Sequence, residues 1–443
     1  MFNIPEEVQY VMQQLNINNH QCYLIGGCVR DMLLNREPKD FDVCTSALPN
    51  EVINMFDKTI PTGLPHGTIT VLVNHYPIEV TTMRKDGIYK DSRHPETVLY
   101  TEKLEEDVMR RDFTINALAL DSEYNLYDYV NGVKDLNHQI IRAVGNPDER
   151  FKEDPLRMMR CKRLGCQLGF QTHEITSGSI CCNSHLIQKV SIERINDELC
   201  KILISDRPAN GILNLHLWGL LQYIIPELCE CYNFDQHNPN HDKDVFKHTL
   251  EVLKYIPNKL SLRLGALFHD IGKPKCFSID ERGIGHFYKH HLIGADMTQE
   301  ILKRMKFDNK TIDTVTTLVK FHMDRYDSLR TSNIKKFINR VGIENLNDLF
   351  ELQIADVKGS KEPHDFSGIE KLIFDVQKIL DQKEPLSIKD LDINGYDLKE
   401  LGIKQGKGMG IILSCLLEKV LENSECNKKD ILLDIVRKEY FDG

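Results

Sequence analysis

No stretch of the 443-residue chain is apolar over the roughly 20 residues that a membrane-spanning helix requires, which excludes a helical membrane protein. The 13 cysteines include no CxxC pair, so neither a zinc ribbon nor a dithiol redox site is indicated. Their dispersal predicts reduced thiols rather than a disulfide scaffold. The opening "MFNIPEEVQYVMQQL" is acidic and amphipathic and lacks the pattern of a secretory signal, so a cytoplasmic location is expected. A basic excess is missing too. The net charge of −10 argues against wholesale nucleic-acid binding, and an RNA partner would need basic groups gathered on one face. Internal repeats and low-complexity segments are absent.

What is present is an ordinary globular composition, 41% apolar and 28% charged. The length suits about three domains of roughly 150 residues. Ile4, Val8, Val11, Met12 and Leu15 recur at helical spacing, and "CYLIGG" reads as a first strand. "PNEVINMF" is helical, and "GTITVLVNHYPIEVTTMR" reads as a hairpin turning at Asn74 to Pro77. From residue 150 onward the strand signal disappears, and Leu, Ile and Met at spacings of three and four predict an almost wholly helical remainder. Breaks rich in Pro, Asn or Asp fall near "VGNPDERF", "NFDQHNPNHDKD" and "DQKEPLSIKD". The fold class expected is α+β, a small mixed or antiparallel sheet followed by helices.

The chemistry begins in "YLIGGCVRDMLLNREPKDFDV". On a strand, Asp40 and Asp42 point to one face while Phe41 and Val43 point to the other. Two adjacent carboxylates repel unless a cation sits between them, and Mg²⁺ suits carboxylates combined with substrate phosphates. Gly26 and Gly27 fit a tight strand-to-helix turn that brings the backbone amides of "CVRDMLL" and the positive helix end near a triphosphate, with Arg30 and Asp31 following. Glu79, beside Thr81 and Arg84, could complete a clamp for in-line phosphoryl displacement. "MRRDFTINALALD" places Arg110, Arg111 and Asp112 ahead of an apolar run, where arginines could grip phosphates or a ribose edge. In "EDPLRMMR", Asp154 and Arg157 are three apart and expected on one helix face. A carboxylate accepts from cytosine N4 or adenine N6, and a guanidinium donates to the neighbouring ring nitrogen or to cytosine O2. Guanine and uracil present a carbonyl in place of that amine, so such a pair could accept C and A and reject G and U.

In order, "LIGGCVRD", "DFDV", "GLPHGTITV", "RRDFTINALALD", "EDPLRMMR" and "VSIERINDEL" resemble the bacterial class II tRNA nucleotidyltransferases, within the poly(A) polymerase head-domain family. The resemblance is close over residues 20–205 and weaker beyond, where "DINGYDLKELGIKQGKGMGIIL" is similar to the family's tail. It implies stepwise addition of C, C and A to a tRNA 3′ end from CTP and ATP, with Mg²⁺ and no nucleic-acid template. By the same resemblance Asp40 and Asp42 are metal ligands, Glu79 a third carboxylate, and Asp154 and Arg157 a protein template, with Arg160 closing that motif. Gly27 and Arg30 would face the nucleotide, Arg111, Asp112 and Asn116 would fall in the ribose-recognition motif, and Glu193 and Arg194 would brace the neck helices. Residues 84–107 fill the place of the family's flexible loop, whose full length favours an enzyme able to add A. Addition of A alone and poly(A) synthesis are the alternative products.

A second set, "HTLEVL", "ALFHDIGKP", "FYKHHLIGAD", "LVKFHMD" and "LQIADVKG", resembles the HD phosphohydrolase superfamily. His248, His269, Asp270 and Asp356 could gather around one transition-metal ion (Ni, Co, Mn or Fe), with His290 and His322 available for a second. His291 adjoins His290, so either could be the ligand. The reaction envisaged is hydrolysis of a 2′,3′-cyclic phosphate at a damaged RNA 3′ end, and a hydrolase with a nucleotide-sensing head is a further alternative. The organisation expected is a nucleotidyltransferase head over 1–145, a helical neck over 146–230, an HD-type body over 231–380 and a tRNA-contacting tail over 381–443.

Overall fold

The computed structural model describes residues 3–87, 98–237, 243–324 and 330–440. Much of the segment read as a flexible loop, residues 88–97, therefore lies outside the described residues. The chain divides into two compact units, 1–229 and 230–443.

The first unit opens with the helix Glu6–Ile17, which buries Val8, Val11, Met12 and Leu15 and carries Glu6 and Glu7 in its first turn, where the helix dipole favours acids. A mixed sheet follows, built from β1 (Cys22–Ile25), β2 (Asp42–Thr45), β3 (Thr59–Gly63), β4 (Thr68–Val73) and β5 (Tyr76–Thr82). A separate ribbon pairs β6 (Arg84–Asp86) with β7 (Val98–Tyr100), and β8 (Ala119–Leu120) and β9 (Leu126–Tyr127) complete the main sheet. Its order is β3-β4-β5-β2-β1-β8-β9. The helices Glu6–Ile17, Gly27–Leu33 and Pro49–Met55 share one core with the buried face of this sheet. Side chains along β5 alternate as a one-sided sheet requires: Ile78 and Val80 are buried while Pro77 and Glu79 are exposed.

The α+β class expected from the sequence is the one observed. The hairpin turns at Asn74 and His75, both at positive φ, so β5 starts earlier than the sequence suggested and includes Pro77. Beyond residue 150 the chain is mainly helical but not wholly so. Gln171–Thr172 pairs with Ile140–Ile141, and Phe277–Ile279 pairs with Gly285–Phe287. Strands of two or three residues carry no readable period; the second pair is closed by Asp280, whose carboxylate accepts from the Arg282 and Ile284 amides, and by Gly283 at positive φ.

The second unit is a stack of helices, including Val245–Tyr255, Leu260–Phe268, His290–Arg304, Asn309–Phe321 and Ile343–Gly359. Two of them begin at aspartate caps, Asp244 accepting from the Lys247 amide and Asp308 from the Thr311 amide. All 13 cysteines are free. Among the described residues no helix is long and apolar enough to cross a membrane.

Candidate active site

Parallel pairing of β2 with β5 puts Asp42 opposite Glu79. The next pair in register, Val43 and Val80, points into the core, so both carboxylates face the other side of the sheet. Asp40 precedes the strand, which starts only at Asp42, yet its charge still acts on Asp42. Burial first, then Glu79 and Asp40, push the Asp42 carboxyl up to about 6, against the counter-pull of Arg111. Such a group is repelled by its neighbours and under-compensated by the protein's own cations. Oxygen donors clustered in this way fit a hard divalent cation.

β1 delivers the chain to Gly26, whose φ of 89° and ψ of −136° only glycine adopts readily. A side chain there would sit 3.5 Å from Arg111 Nη1 and 3.7 Å from Asp42 Oδ2, so this glycine brings backbone up against the carboxylate and the guanidinium together. Gly27 begins the helix Gly27–Leu33. On that helix Arg30 donates through Nη1 to Asn116 Oδ1 at 2.7 Å and forks onto Asp31 through Nε and Nη2 at 2.9 Å. Arg111 is held by the fully buried Asp107, through Nη2 at 3.1 Å. Asp107 also binds Arg110 and accepts from the Arg84 amide at 3.2 Å. Burial alone would raise the Asp107 carboxyl, but Arg111 and Arg110 hold it below its ordinary range.

The two arginine-rich motifs meet at Asp112. Its Oδ2 lies 2.8 Å from Arg160 Nη2 without an aligned hydrogen bond, and its Oδ1 accepts from the Phe113 amide at 2.8 Å. Burial opposes ionisation there, yet Arg160 and Arg157 keep the carboxyl below the usual carboxylate range.

Asp154 and Arg157 do not share a helix. The helix Pro147–Glu153 ends at Asp154, in extended backbone, and the next begins after Pro155, because a proline disfavours helical backbone in the residue before it. Asp154 caps the second helix by accepting from the Leu156 amide at 3.1 Å, and its other oxygen accepts from Arg194 Nη2 at 2.8 Å. Arg157 donates to Glu153 Oε2 at 2.5 Å and to the carbonyls of Arg150 and Arg110 at 3.1 Å. The expected shared helix face is thus replaced by two oriented side chains with separate partners. Arg194, expected to brace the neck, pairs with Asp154 itself, while the neighbouring Glu193 is exposed. The roles of Asp107 and Glu153 were not read from the sequence, although their spacings of three and four from the arginines are ordinary helix-pair signals.

The second unit gathers another set. His248, His269 and Asp356 present ligand atoms within 4.8 Å of one another, and so do Asp270, His290 and His322. Asp270 joins the triads: Oδ2 lies 3.3 Å from His269 Nε2, and Oδ1 lies 3.3 Å from His290 Nε2. Each Nδ1 faces a backbone carbonyl, His269 that of Ala266, His290 that of Phe287, His322 that of Val319 and His248 that of Gly359. A protonated Nδ1 satisfies such a carbonyl and leaves the Nε2 lone pair aimed inward. Burial lowers His322 to about 4, so it is neutral at pH 7. His290, not His291, joins the cluster. Gly272 allows this assembly: a side chain there would come within 2.3 Å of the His290 carbonyl. Lys273, not foreseen from the sequence, is buried with Nζ 2.7 Å from Asp270 Oδ2.

Three carboxylates beside an arginine and a glycine turn, on a mixed sheet followed by helices, define a nucleotidyltransferase head. Residues 22–142 match the model of the Poly A polymerase head domain, residues 169–232 that of the probable RNA and SrmB-binding site of polymerase A, and residues 290–436 that of the putative tRNA nucleotidyltransferase domain 2. The chain is 32% identical to the CCA-adding enzyme of Ligilactobacillus salivarius over 98% of both chains. It is 33% identical to that of Staphylococcus saprophyticus over 90% of both. The crystal structure of the Bacillus stearothermophilus CCA-adding enzyme in complex with CTP superposes with a TM-score of 0.72 at 26% identity, over 99% of each chain. The chain belongs to the CCA-adding enzyme family.

Proposed function

We propose that the protein adds C, C and A in turn to the 3′ end of tRNA from CTP and ATP without a nucleic-acid template, and that Asp40, Asp42 and Glu79 are the carboxylates at which transfer occurs. The observation that carries the site assignment is the parallel register that sets Asp42 opposite Glu79, with Gly26 and Arg111 close by. The fold implies a divalent metal. Mg²⁺ is the metal proposed, held by Asp40 and Asp42 with Glu79 as third donor; bound there, it would stabilise charge on the transferring phosphoryl oxygens. Arg111 and Arg30, with the Gly27 amide, would hold the triphosphate. Asp112, kept ionised by Arg160 and with one oxygen lacking an aligned donor, would accept from a ribose hydroxyl, and Asn116 would steady Arg30 beside it. Asp154 and Arg157 would read the base edge, their orientations fixed by Arg194 and Glu153. The test offers tRNA lacking its 3′ end with each NTP alone and then together, resolving products at single-nucleotide length. Two residues from CTP alone and three from CTP with ATP are expected. A ladder of A residues from ATP alone would replace this reading with poly(A) synthesis.

A second activity is supported by the convergence of four imidazole Nε2 atoms on Asp270. His248, His269 and Asp356 would hold one transition-metal ion and His290 and His322 another, with Asp270 between them. The donor set, rich in imidazole, suits Ni, Co, Mn or Fe better than Mg. Ions there would supply Lewis acidity and an activated water for hydrolysing a phosphoester, a 2′,3′-cyclic phosphate at an RNA 3′ end being the substrate proposed. Chelation, reloading with single metals and assay on 2′,3′-cyclic AMP test it. Hydrolysis absent with every metal, or undiminished in a His269→Ala, Asp270→Ala variant, overturns it.

A further inference from the structure

Between the carboxylate site and the base-reading pair lies a buried group that touches neither. Asp107 is wholly inaccessible to solvent, and its two oxygens are divided between two arginines that the sequence places side by side. Oδ2 takes Arg111 through Nε and Nη2, at 3.3 and 3.1 Å. That guanidinium lies beside Gly26, and its charge acts on Asp42. Oδ1 takes Arg110 through Nε and Nη2, at 3.0 and 2.5 Å, and the Arg84 amide at 3.2 Å. The carbonyl of Arg110 in turn accepts from Arg157 Nη2 at 3.1 Å, and Arg110 Nε also reaches the Arg84 carbonyl at 3.2 Å. Arg84 begins β6, the strand that leads into residues 88–97.

We propose that Asp107 is a positioning residue for nucleotidyl transfer: one carboxylate orients Arg111 beside Asp42, fixes the Arg110 backbone on which Arg157 rests, and ties both to the start of β6. The charged fork matters because two guanidiniums placed side by side repel, and a single buried anion both cancels that repulsion and sets their planes. An amide of the same shape accepts through one atom only and carries no charge. The effect passes through Arg111 to the transfer step and through Arg110 and Arg157 to base choice. A residue serving stability alone would leave both untouched in a folded protein.

The inference rests on the transferase reading, and the experiment separates the two by running the wild-type protein alongside. Asp107→Asn, Arg111→Lys and the double variant are compared in single-nucleotide addition to tRNA, with CTP, ATP, GTP and UTP offered separately and folding checked by thermal melting. Expected are a kcat at least tenfold below wild type with the KM for tRNA unchanged, a raised proportion of G and U incorporated, and little further loss when Asp107→Asn is added to Arg111→Lys. Wild-type kcat and base choice in folded Asp107→Asn overturn the inference, as does a loss that multiplies fully with that of Arg111→Lys. Should Asp107→Asn fail to fold, Asp107→Glu is decisive: it keeps the charge but displaces it by a methylene, so slowed transfer with altered base choice is expected, and unaltered transfer overturns the inference. A wild-type protein that adds nothing would fail the transferase reading and take this inference with it.

Discussion

Asp42 must be ionised to hold a cation, yet burial, Glu79 and Asp40 all favour its protonated form. Because its folded pKa of about 6 exceeds the ordinary 3.8, the metal-free protein is stabilised by the protonated carboxyl below about pH 4 and loses that contribution as pH rises through 6. Asp42→Asn imitates the protonated form. In chelator its melting temperature should match wild type near pH 4 and exceed it by a few degrees at pH 8. An equal melting temperature at pH 8 would show that the carboxylates do not strain one another. The pair proposed to read the base is tested differently. Asp154→Ala and Arg157→Ala should raise G and U incorporation relative to C and A, because an edge contact discriminates by roughly 1–3 kcal/mol. Uniform loss with every NTP would make both residues structural. The identities of these residues were legible in the sequence because each sits in a short charged motif. Their partners were not: Arg194 lies 40 positions from Asp154, and Arg160 lies 48 from Asp112, distances across which spacing carries no information.

At the scale of elements, strand periodicity gave the hairpin and the alternation that turns Glu79 outward. It could not give the parallel pairing of β2 with β5, which is a long-range choice that brings Glu79 opposite Asp42. The break between the helices ending at Glu153 and starting at Leu156 was signalled by Pro155, a local cue that the spacing argument for one continuous face overrode. The turn at Gly26 was legible as a paired glycine, and its importance can be tested. Gly26→Ala meets no severe clash, its nearest neighbours being 3.5 Å away, so its cost comes from backbone conformation. It should lower the unfolding free energy, read by denaturant titration, by about 1–2 kcal/mol and reduce transfer more than that loss explains, because the Gly27–Leu33 helix and Arg30 shift with it. Full activity in a destabilised but folded variant would separate the turn from the chemistry.

At the scale of the whole molecule, two titratable clusters sit in two compact units, one rich in carboxylate and arginine, the other in imidazole. If each works in its own unit, His269→Ala with Asp270→Ala should abolish binding of a transition metal, read by elemental analysis after dialysis, and leave nucleotide addition within about twofold of wild type. Coupled loss of both would mean that the imidazole cluster supports the fold of the transferase. One carboxylate site serves every added nucleotide in this reading. The most direct measurement is single-turnover addition of CTP to tRNA lacking its 3′ end, and of ATP to tRNA ending in CC, by folded Asp40→Ala and Asp42→Ala. If Asp40 and Asp42 hold the metal as proposed, loss of either should slow both additions by at least about a hundredfold. Survival of either addition at near wild-type rate would contradict the assignment.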